Sequence, residues 1–165
     1  MFVDQKKEGE AMAERNGKEK TVVFNRRASH DYFLEDRYEC GIQLTGTEIK
    51  SIRAGKVQFK DSYISIYKGE AWIKGMHISN YSYGNIFNVD EERDRKLLLH
   101  KEEIRKIYDN IRMKGYTVVP VRMYLKNGRA KLEIALAKGK NLYDKRQSDK
   151  IRDAKREMEK ALKFH

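Results

Sequence analysis

The sequence contains few of the residues on which disulfides, metal sites and rigid turns depend. Its 165 residues include one cysteine, Cys40, and one proline, Pro120. One cysteine can form neither an internal disulfide nor a cysteine-based zinc site, and such low usage is typical of a reducing cytosol. No apolar run approaches the roughly 20 residues of a membrane-spanning helix, and nothing resembles a signal peptide. We therefore expect a soluble, cytoplasmic protein.

Signatures of catalysis are also missing. The sequence has no HExxH motif, no glycine-rich phosphate loop and no spaced set of Cys and His ligands. The histidines are scattered, and an isolated histidine is more often a surface or capping residue than a catalyst. We therefore expect no catalytic residue, no metal and no cofactor, with an RNA-cleaving enzyme that uses His30, His77 or His100 as an alternative. The four histidines are His30, His77, His100 and His165.

Positive charge is present in excess. Lys and Arg number 36 against 25 Asp and Glu, which gives a formal net charge of +11 at pH 7. Such an excess favours a polyanionic partner, either nucleic acid or an anionic membrane. Tyrosine faces can stack on unpaired bases, worth about 1–3 kcal/mol per base, although tyrosine is also common in strands. The candidate stacking residues are Tyr32, Tyr38, Tyr81, Tyr83, Tyr124 and Tyr143.

The stretch from Lys126 to Ala137 predicts the return strand of a β-hairpin. Asn127 and Gly128 tolerate the positive φ angles of a tight primed turn, and this pair is the strongest short-range hairpin signal. After the turn, apolar residues such as Leu132 and Ile134 alternate with charged ones, so one face of the strand is apolar.

Four further segments have strand patterns and two have helix patterns. The triplet Glu35–Arg37 predicts a turn within the first strand segment. Pro120 predicts an edge position or a kink in the last one, because proline donates no ladder hydrogen bond. Thr47 is the candidate N-cap of the first helix, and Gly115 the candidate end of the second. The strand segments are 32–44, 63–67, 71–78 and 116–125, and the helix segments are 45–54 and 104–115.

Short strands interrupted by helices, without the regular strand–helix alternation of βαβ units, favour an all-β-dominated fold. We expect an OB-like antiparallel barrel of about six strands with two or three peripheral helices, and a sandwich is the alternative. Residues 1–20 carry five basic and five acidic side chains and no apolar period, so we expect a disordered arm. The barrel would then cover residues 21–137, and residues 138–165 would form a flexible basic tail.

The tail contains ten basic and five acidic side chains. Its apolar residues from Ile151 to Leu162 recur with helical spacing. An amphipathic helix without a docked partner is marginal in water. We therefore expect the tail to be disordered when free and helical in an anionic groove. A C-terminal helix packed permanently on the barrel is the alternative.

Seven segments, taken in order, resemble a known family. They are 25–28 (NRRA), 32–33 (YF), 46–57 (GTEIKSIRAGKV), 61–63 (DSY), 95–99 (RKLLL), 115–117 (GYT) and 137–146 (AKGKNLYDKR). This series resembles small protein B, the SsrA-binding protein family, which partners transfer-messenger RNA in bacterial ribosome rescue. The resemblance covers about Val22 to Leu162. It implies an OB-type barrel with peripheral helices and a tail that is disordered in free solution.

The resemblance implies an RNA-binding adaptor rather than an enzyme. The family binds the tRNA-like domain of transfer-messenger RNA and delivers it to stalled ribosomes for trans-translation. The implied partners are that RNA, the stalled 70S ribosome with its small-subunit rRNA and, through the shared RNA, elongation factor Tu, with no membrane partner. Glu39 is among the implied contacts, although charge alone would not select it; a carboxylate can accept from base or ribose donors, or orient neighbouring arginines. The implied RNA contacts are Asn25, Arg26, Glu39, Leu98 and Lys131.

The resemblance also implies a role for the tail. In the family it enters the decoding site and the empty messenger channel, and folds there as a helix. Gly139 matches the hinge, and Tyr143 stands where relatives often carry histidine; either ring can stack on a decoding-site base. A basic chain can order in the channel only when no messenger RNA occupies it, so the tail would sense a vacant channel. The implied residues are Lys138, Gly139, Tyr143, Asp144, Lys145, Arg146, Ala161 and Leu162.

Two binding alternatives stay open. A general single-stranded RNA- or DNA-binding OB-fold protein is compatible with the basic charge and the tyrosines. A structural protein of the ribosome is the other. Preference for a folded tRNA-like RNA over a homopolymer separates the adaptor from the first, and loss from ribosomes in a high-salt wash separates it from the second.

Overall fold

The computed structural model describes residues 19–81, 89–140 and 142–163, and within the last segment the side chains of 145–161. The predicted arm, residues 1–20, lies almost entirely outside the described residues. The strands are β1 (Glu19–Phe24), β2 (Tyr32–Ile42), β3 (Val57–Gln58), β4 (Tyr63–Tyr67), β5 (Glu70–Lys74), β6 (His77–Ile78), β7 (Arg95–Leu98), β8 (Thr117–Lys126) and β9 (Arg129–Gly139). The helices are α1 (Arg26–Asp31), α2 (Gly46–Arg53), α3 (Lys101–Lys114) and α4 (Leu142–Lys163).

Seven of these strands form one antiparallel sheet in the order β1-β8-β9-β2-β7-β5-β4, and β3 pairs with β6. Strand β4 lies at one edge of this sheet and contacts β8, which is next to the opposite edge, so the sheet curls back on itself. The predicted OB-like, sheet-dominated fold with a few peripheral helices is confirmed. The described residues contain nine strands, because the predicted 71–78 segment is broken and short strands form at 57–58 and 95–98.

The β8–β9 hairpin is the best-predicted element. Asn127 and Gly128 have φ angles of 52° and 78°, as the primed turn requires. Leu132 and Ile134 point into the core and are fully buried. The Cys40 thiol donates to the Leu132 carbonyl over 3.3 Å, and burial raises its pKa to about 12, so this thiol is unreactive.

Helix α3 follows the predicted pattern. Its residue Ile107 is fully buried in the core, and Gly115 ends the helix in the left-handed conformation at φ 68°. Helix α2 lies within the predicted segment 45–54, but its N-cap is Thr45, not Thr47. The reason is a capping box, in which Thr45 Oγ1 accepts from the Glu48 amide and the Glu48 carboxylate accepts from the Thr45 amide.

Helix α1 has no counterpart in the sequence prediction. Asn25 caps it, since its Oδ1 accepts from the Ala28 amide over 3.2 Å. The Asn25 side-chain amide also donates to the Pro120 carbonyl at 2.8 Å. The β1–β8 ladder ends at the Phe24–Arg122 pair, so Pro120 lies beyond the end of that ladder, the local edge position that the sequence predicts. The β8–β9 register also shifts between Pro120 and Arg122, as the predicted kink requires.

Strand β2 differs from the prediction in two places, at Glu35–Arg37 and at its first two residues. The triplet Glu35–Arg37 is not a turn; the strand runs through it, and the β2–β9 register shifts there, which lets the charged residues face solvent. The same ladder pairs Phe33 with Lys138 and Tyr32 with Gly139, two residues beyond the predicted end of the barrel.

A buried ion network joins α2 to β7. The Arg95 side chain is fully buried and its Nε lies 2.5 Å from Glu48 Oε2, while Arg93 donates to Glu48 Oε1. Arg95 also donates to the carbonyls of Met76 at 2.8 Å and Glu91 at 3.0 Å. Burial opposes the charged form of Glu48, but the hydrogen bonds from Arg93, Thr45 and Arg95 outweigh it and hold the pKa of Glu48 below its usual range.

We predict that Glu48→Gln lowers the free energy of unfolding by about 3–5 kcal/mol, because it leaves the buried Arg95 charge unpaired. Urea denaturation at pH 7 measures this loss. Since the pKa of Glu48 is depressed in the folded state, its contribution is present above its ordinary value of about 4.3 and is lost as the pH falls through the folded-state pKa. The deficit of the variant should therefore shrink in acid.

The matched control is Asp109→Asn on the exposed side of α3, which should change the stability by less than about 0.5 kcal/mol. Equal stability of the two variants would contradict the assignment of Glu48 as the partner that keeps Arg95 satisfied.

Candidate nucleic-acid interface

One row of residues crosses four strands on the outside of the barrel. Leu98 of β7 pairs with Gly41 of β2, Gly41 pairs with Lys131 of β9, and Lys131 pairs with Tyr124 of β8. Residues opposite each other in antiparallel strands share a face. A Cβ on Gly41 would lie 3.4 Å from the Leu98 side chain, in van der Waals contact, so Leu98 packs closely over Gly41 while it stays 50% exposed.

A second row runs beside the first. Glu39 pairs with Glu133, Glu133 with Arg122, and Arg122 with Phe24, which is 60% exposed. Two glutamates side by side would repel, but Glu133 accepts from Arg122 Nε at 2.7 Å and from Arg37 Nη1 at 3.0 Å. These hydrogen bonds hold the pKa of Glu133 low even though burial opposes its charge.

Together the rows form the two-row face. Its members are Leu98, Gly41, Lys131, Tyr124, Glu39, Glu133, Arg122 and Phe24. The structure thus brings three of the predicted RNA contacts, Glu39, Leu98 and Lys131, onto one surface from three different strands.

Glu39 is held in place by two neighbours. The Tyr124 hydroxyl donates to Glu39 Oε2, and Lys126 Nζ lies 3.6 Å from Oε1. Burial and the Glu39 carboxylate raise the pKa of Tyr124, so its hydroxyl stays a donor at neutral pH. Arg122 lies over the Tyr124 ring, 4.1 Å from its centre. The Glu39 carboxylate is therefore a hydrogen-bond acceptor that its neighbours on the sheet hold in one orientation.

Two other predicted contacts lie at the margin of this surface. The Asn25 side chain is occupied by the α1 cap and the Pro120 carbonyl, so its observed role is structural. Arg26 is exposed and follows Phe24 by two residues, which places it near the β1 end of the second row.

The sequence analysis missed one residue of the face and misread the role of a second. Arg122 was not selected, although the hairpin register set by Asn127–Gly128 places it opposite Glu133, on the same face as Lys131. Lys126, which contacts Glu39 from beside the face, was not selected either. Tyr124 was a candidate stacking residue, but it is 1% exposed and works as a hydrogen-bond donor instead. Tyr83 lies outside the described residues.

The predicted tail residues whose side chains the structure describes do not share this face. Lys138 and Gly139 belong to β9, and Lys138 Nζ lies 4.7 Å from the centre of the Tyr116 ring. Lys145 Nζ lies 3.6 Å from Asp31 Oδ1 of α1, and Arg146 and Ala161 are exposed on α4. The side chains of Tyr143, Asp144 and Leu162 lie outside the described residues.

Within residues 19–81, 89–140 and 142–163, no helix has the length and apolar character that a membrane span requires. No group of three His, Cys, Asp or Glu side chains in these same ranges is arranged to hold a metal ion.

The curled antiparallel sheet and its mixed-charge outer face define a basic OB-like barrel protein. The family model described as SmpB protein matches residues 22–164, and the chain belongs to that family. This agrees with the resemblance seen in the seven sequence segments.

Relatives and a solved structure agree with this assignment. The SsrA-binding protein of Acetivibrio thermocellus is 57% identical over 144 residues, which cover 87% of this chain and 94% of the relative. That of Clostridium acetobutylicum is 53% identical over 152 residues, 92% of this chain and 98% of the relative. A solved structure described as "tmRNA-SmpB: a journey to the center of the bacterial ribosome" is 45% identical, with a TM-score of 0.62, and covers 73% of this chain and 85% of that one.

We predict that Tyr124→Phe lowers the free energy of unfolding by about 1.5–3 kcal/mol, because it removes a hydrogen bond to a charged acceptor. The Arg122 stacking on the ring should remain. A double-mutant cycle with Glu39→Gln, followed by urea denaturation, isolates the coupling between the two side chains.

Tyr67→Phe on the exposed side of β4 is the control, and it should change the stability by less than about 0.5 kcal/mol. If Tyr124→Phe falls within the range of this control, the hydroxyl does not hold Glu39.

Proposed function

We propose that this protein is an RNA-binding adaptor that binds the tRNA-like domain of transfer-messenger RNA and delivers it to stalled ribosomes for trans-translation. The observation that carries the proposal is the two-row face, on which Glu39, Leu98 and Lys131 meet. Membership of the SmpB family and close relatives called SsrA-binding proteins support it. So does a similar solved structure whose description links tmRNA and SmpB to the bacterial ribosome.

Each side chain of the face has a distinct chemical use toward RNA. Lys131 supplies a cation for a phosphate or ribose oxygen. Leu98 offers apolar surface against a ribose or an unstacked base. Glu39 accepts hydrogen bonds from a ribose 2′-hydroxyl or a base donor, and its fixation by Tyr124 favours one orientation. A carboxylate beside the cations disfavours simple backbone binding, so the face favours a particular RNA shape.

The proposed mechanism is recognition without a chemical step. A rigid sheet suits this task, because a preorganised surface loses little conformational entropy on binding. Transfer-messenger RNA, the 70S ribosome with its small-subunit rRNA and, through the shared RNA, elongation factor Tu are the proposed partners. We propose that the protein acts with these partners in the cytoplasm.

The tail is proposed to test whether the messenger channel is vacant. In α4, residues 151–161 are all exposed, and Ile151 and Met158 are about 70% exposed. A basic helix with so little packing is marginal in water, which supports order that depends on a bound groove. The residues proposed to act there are Lys138, Gly139, Tyr143, Asp144, Lys145, Arg146, Ala161 and Leu162.

We predict that Lys131→Gln weakens binding to the tRNA-like domain and reduces the slope of log affinity against log salt by about 0.7–0.9, the value for one phosphate contact. Fluorescence anisotropy across a salt series measures both quantities. Lys106→Gln on the exposed side of α3 is the control and should leave the slope unchanged.

A homopolymer, poly(U), distinguishes the adaptor from a general single-strand binder. The adaptor should prefer the tRNA-like domain at every salt concentration. Equal binding of both RNAs by the unsubstituted protein would overturn the proposed function.

For the tail, we predict that reversing two charges, Lys145→Glu with Arg146→Glu, abolishes peptide tagging on stalled ribosomes. Binding to the tRNA-like domain should stay within about twofold, because the two-row face carries it. The same reversal at Lys106 and Lys114 of α3 is the control. Full tagging by the tail variant in a reconstituted translation system would contradict channel sensing.

A further inference from the structure

A groove on the barrel has no part in the function proposed above. It lies between α3 and the turn that joins β4 to β5, and its volume is about 590 Å³. None of its lining residues belongs to the two-row face. Its lining combines an apolar group with three cations. The apolar group is Ile66, Ile104 and Tyr108, and the cations are Lys68, Lys101 and Arg105.

Helical spacing accounts for one wall of the groove. Residues three and four apart share a side of a helix, so Lys101, Ile104, Arg105 and Tyr108 of α3 face the groove together. Ile107 lies on the neighbouring side of α3 and is fully buried in the core. That anchor fixes the rotation of the helix and keeps the groove-facing side open.

A second cleft extends the groove along β4 toward the start of β8. Its volume is about 290 Å³, and it shares Ile66 and Tyr108 with the first. Ile111 and Val118 are among its other lining residues. Together the two clefts follow α3 from Lys101 to Ile111, which is about 15 Å at the usual helical rise. This length matches about three turns of a second helix.

The groove leaves apolar surface open to solvent. Tyr108 is 42% exposed, and Ile66, Ile104 and Ile111 are half-buried. Ile66 and Ile111 pack against the core on one side, so the groove is a continuation of the core that nothing in the described barrel covers. Apolar surface rimmed by polar residues is typical of protein interaction sites.

The charges of the groove select an acidic partner. Among the described residues, no carboxylate lines either cleft. Lys68 Nζ lies 5.3 Å from the centre of the Tyr67 ring. Lys101 and Arg105 are exposed and form no ion pair within the described part of the chain. These cations are therefore free to pair with carboxylates that a partner brings to the rim.

We propose that this groove, lined by α3 and β4, binds a short amphipathic helix of a partner protein, with apolar side chains on one face and carboxylates beside them. The apolar side chains pack on the apolar lining, and the carboxylates pair with the three cations. This is the helix-in-groove mode of recognition, anchored at positions i, i+3 or i+4, and i+7. The inference goes beyond the proposed function, whose partners are bound through RNA or through the tail.

The lining favours a peptide over a strand of RNA. Single-stranded RNA is held by aromatic faces on which successive bases stack. Tyr108 is the one aromatic residue among the described residues that line the larger cleft. One ring offers no platform for successive bases, whereas the isoleucines beside it offer surface that aliphatic side chains fill.

The test uses the full-length protein and a designed peptide of about four helical turns. The peptide carries leucine at positions i, i+3 or i+4, and i+7, and glutamate elsewhere. We expect saturable binding by fluorescence anisotropy and amide chemical-shift changes in α3 and β4. Arg105→Glu should weaken binding by about tenfold or more, because it replaces attraction at the rim by repulsion.

Lys106→Glu is the matched control, since it reverses the same charge on the opposite side of α3, where the side chain is exposed. Its affinity for the peptide should stay within about twofold of that of the unsubstituted protein, because surface charges at that distance are screened. The matched control peptide has the same composition with the leucines spread around the helix, and it should not bind.

Equal weakening by Arg105→Glu and Lys106→Glu would show attraction to net charge alone and would overturn the proposal. Equal affinity for the two peptides would overturn it as well. So would amide changes in α3 and β4 caused by a uridine hexamer but not by the peptide, because the groove would then be an RNA site. None of these measurements uses the tRNA-like domain, so failure of this proposal is distinct from failure of the adaptor function.

Discussion

The ion pairs of the buried Glu48 carboxylate, in the first turn of α2, are the interactions on which the rest of the barrel depends. The carboxylate satisfies two arginines, caps its own helix and, through Arg95, ties the carbonyls of Met76 and Glu91 to β7. A buried charge is tolerated only when each partner is satisfied, so the loss of one member leaves the others without compensation. The network therefore fixes β7 against the helix and the loops around it.

The position of β7 determines the outer surface. Leu98 ends this strand and pairs with Gly41 of β2, whose other neighbour is Lys131 of β9. Gly41 is two residues along β2 from Glu39, so the three side chains lie in adjacent rows of one face. Glu39 in turn is oriented by Tyr124 from a fourth strand. The proposed RNA site is thus assembled from strands far apart in the chain, held in register by backbone ladders and by a buried ion network. Rigid support of this kind suits recognition of RNA shape.

Local signals in the sequence predicted the elements that depend on local chemistry. The Asn127–Gly128 turn and the apolar stripe of α3 are both as expected, since each follows from neighbouring residues alone. Helix α1 was missed because it is six residues long and has no apolar period; Asn25 is its one signal. The pairing of Glu48 with Arg95 spans 47 positions and leaves no periodic trace. The family resemblance selected Glu39. The contact from Tyr124 that orients the Glu39 carboxylate could not be predicted, because it depends on how β8, β9 and β2 pair in three dimensions.

The most direct test of the account is a map of amide chemical-shift changes when the full-length protein binds the tRNA-like domain. If the sheet is the RNA platform, the changes should concentrate on Glu39, Gly41, Leu98 and Lys131 and their ladder partners. Residues 151–161 of the tail should change little, because they are proposed to contact the ribosome rather than this RNA. Changes confined to the tail, with the two-row face unaffected, would show that the protein holds RNA through a basic clamp and would contradict the account.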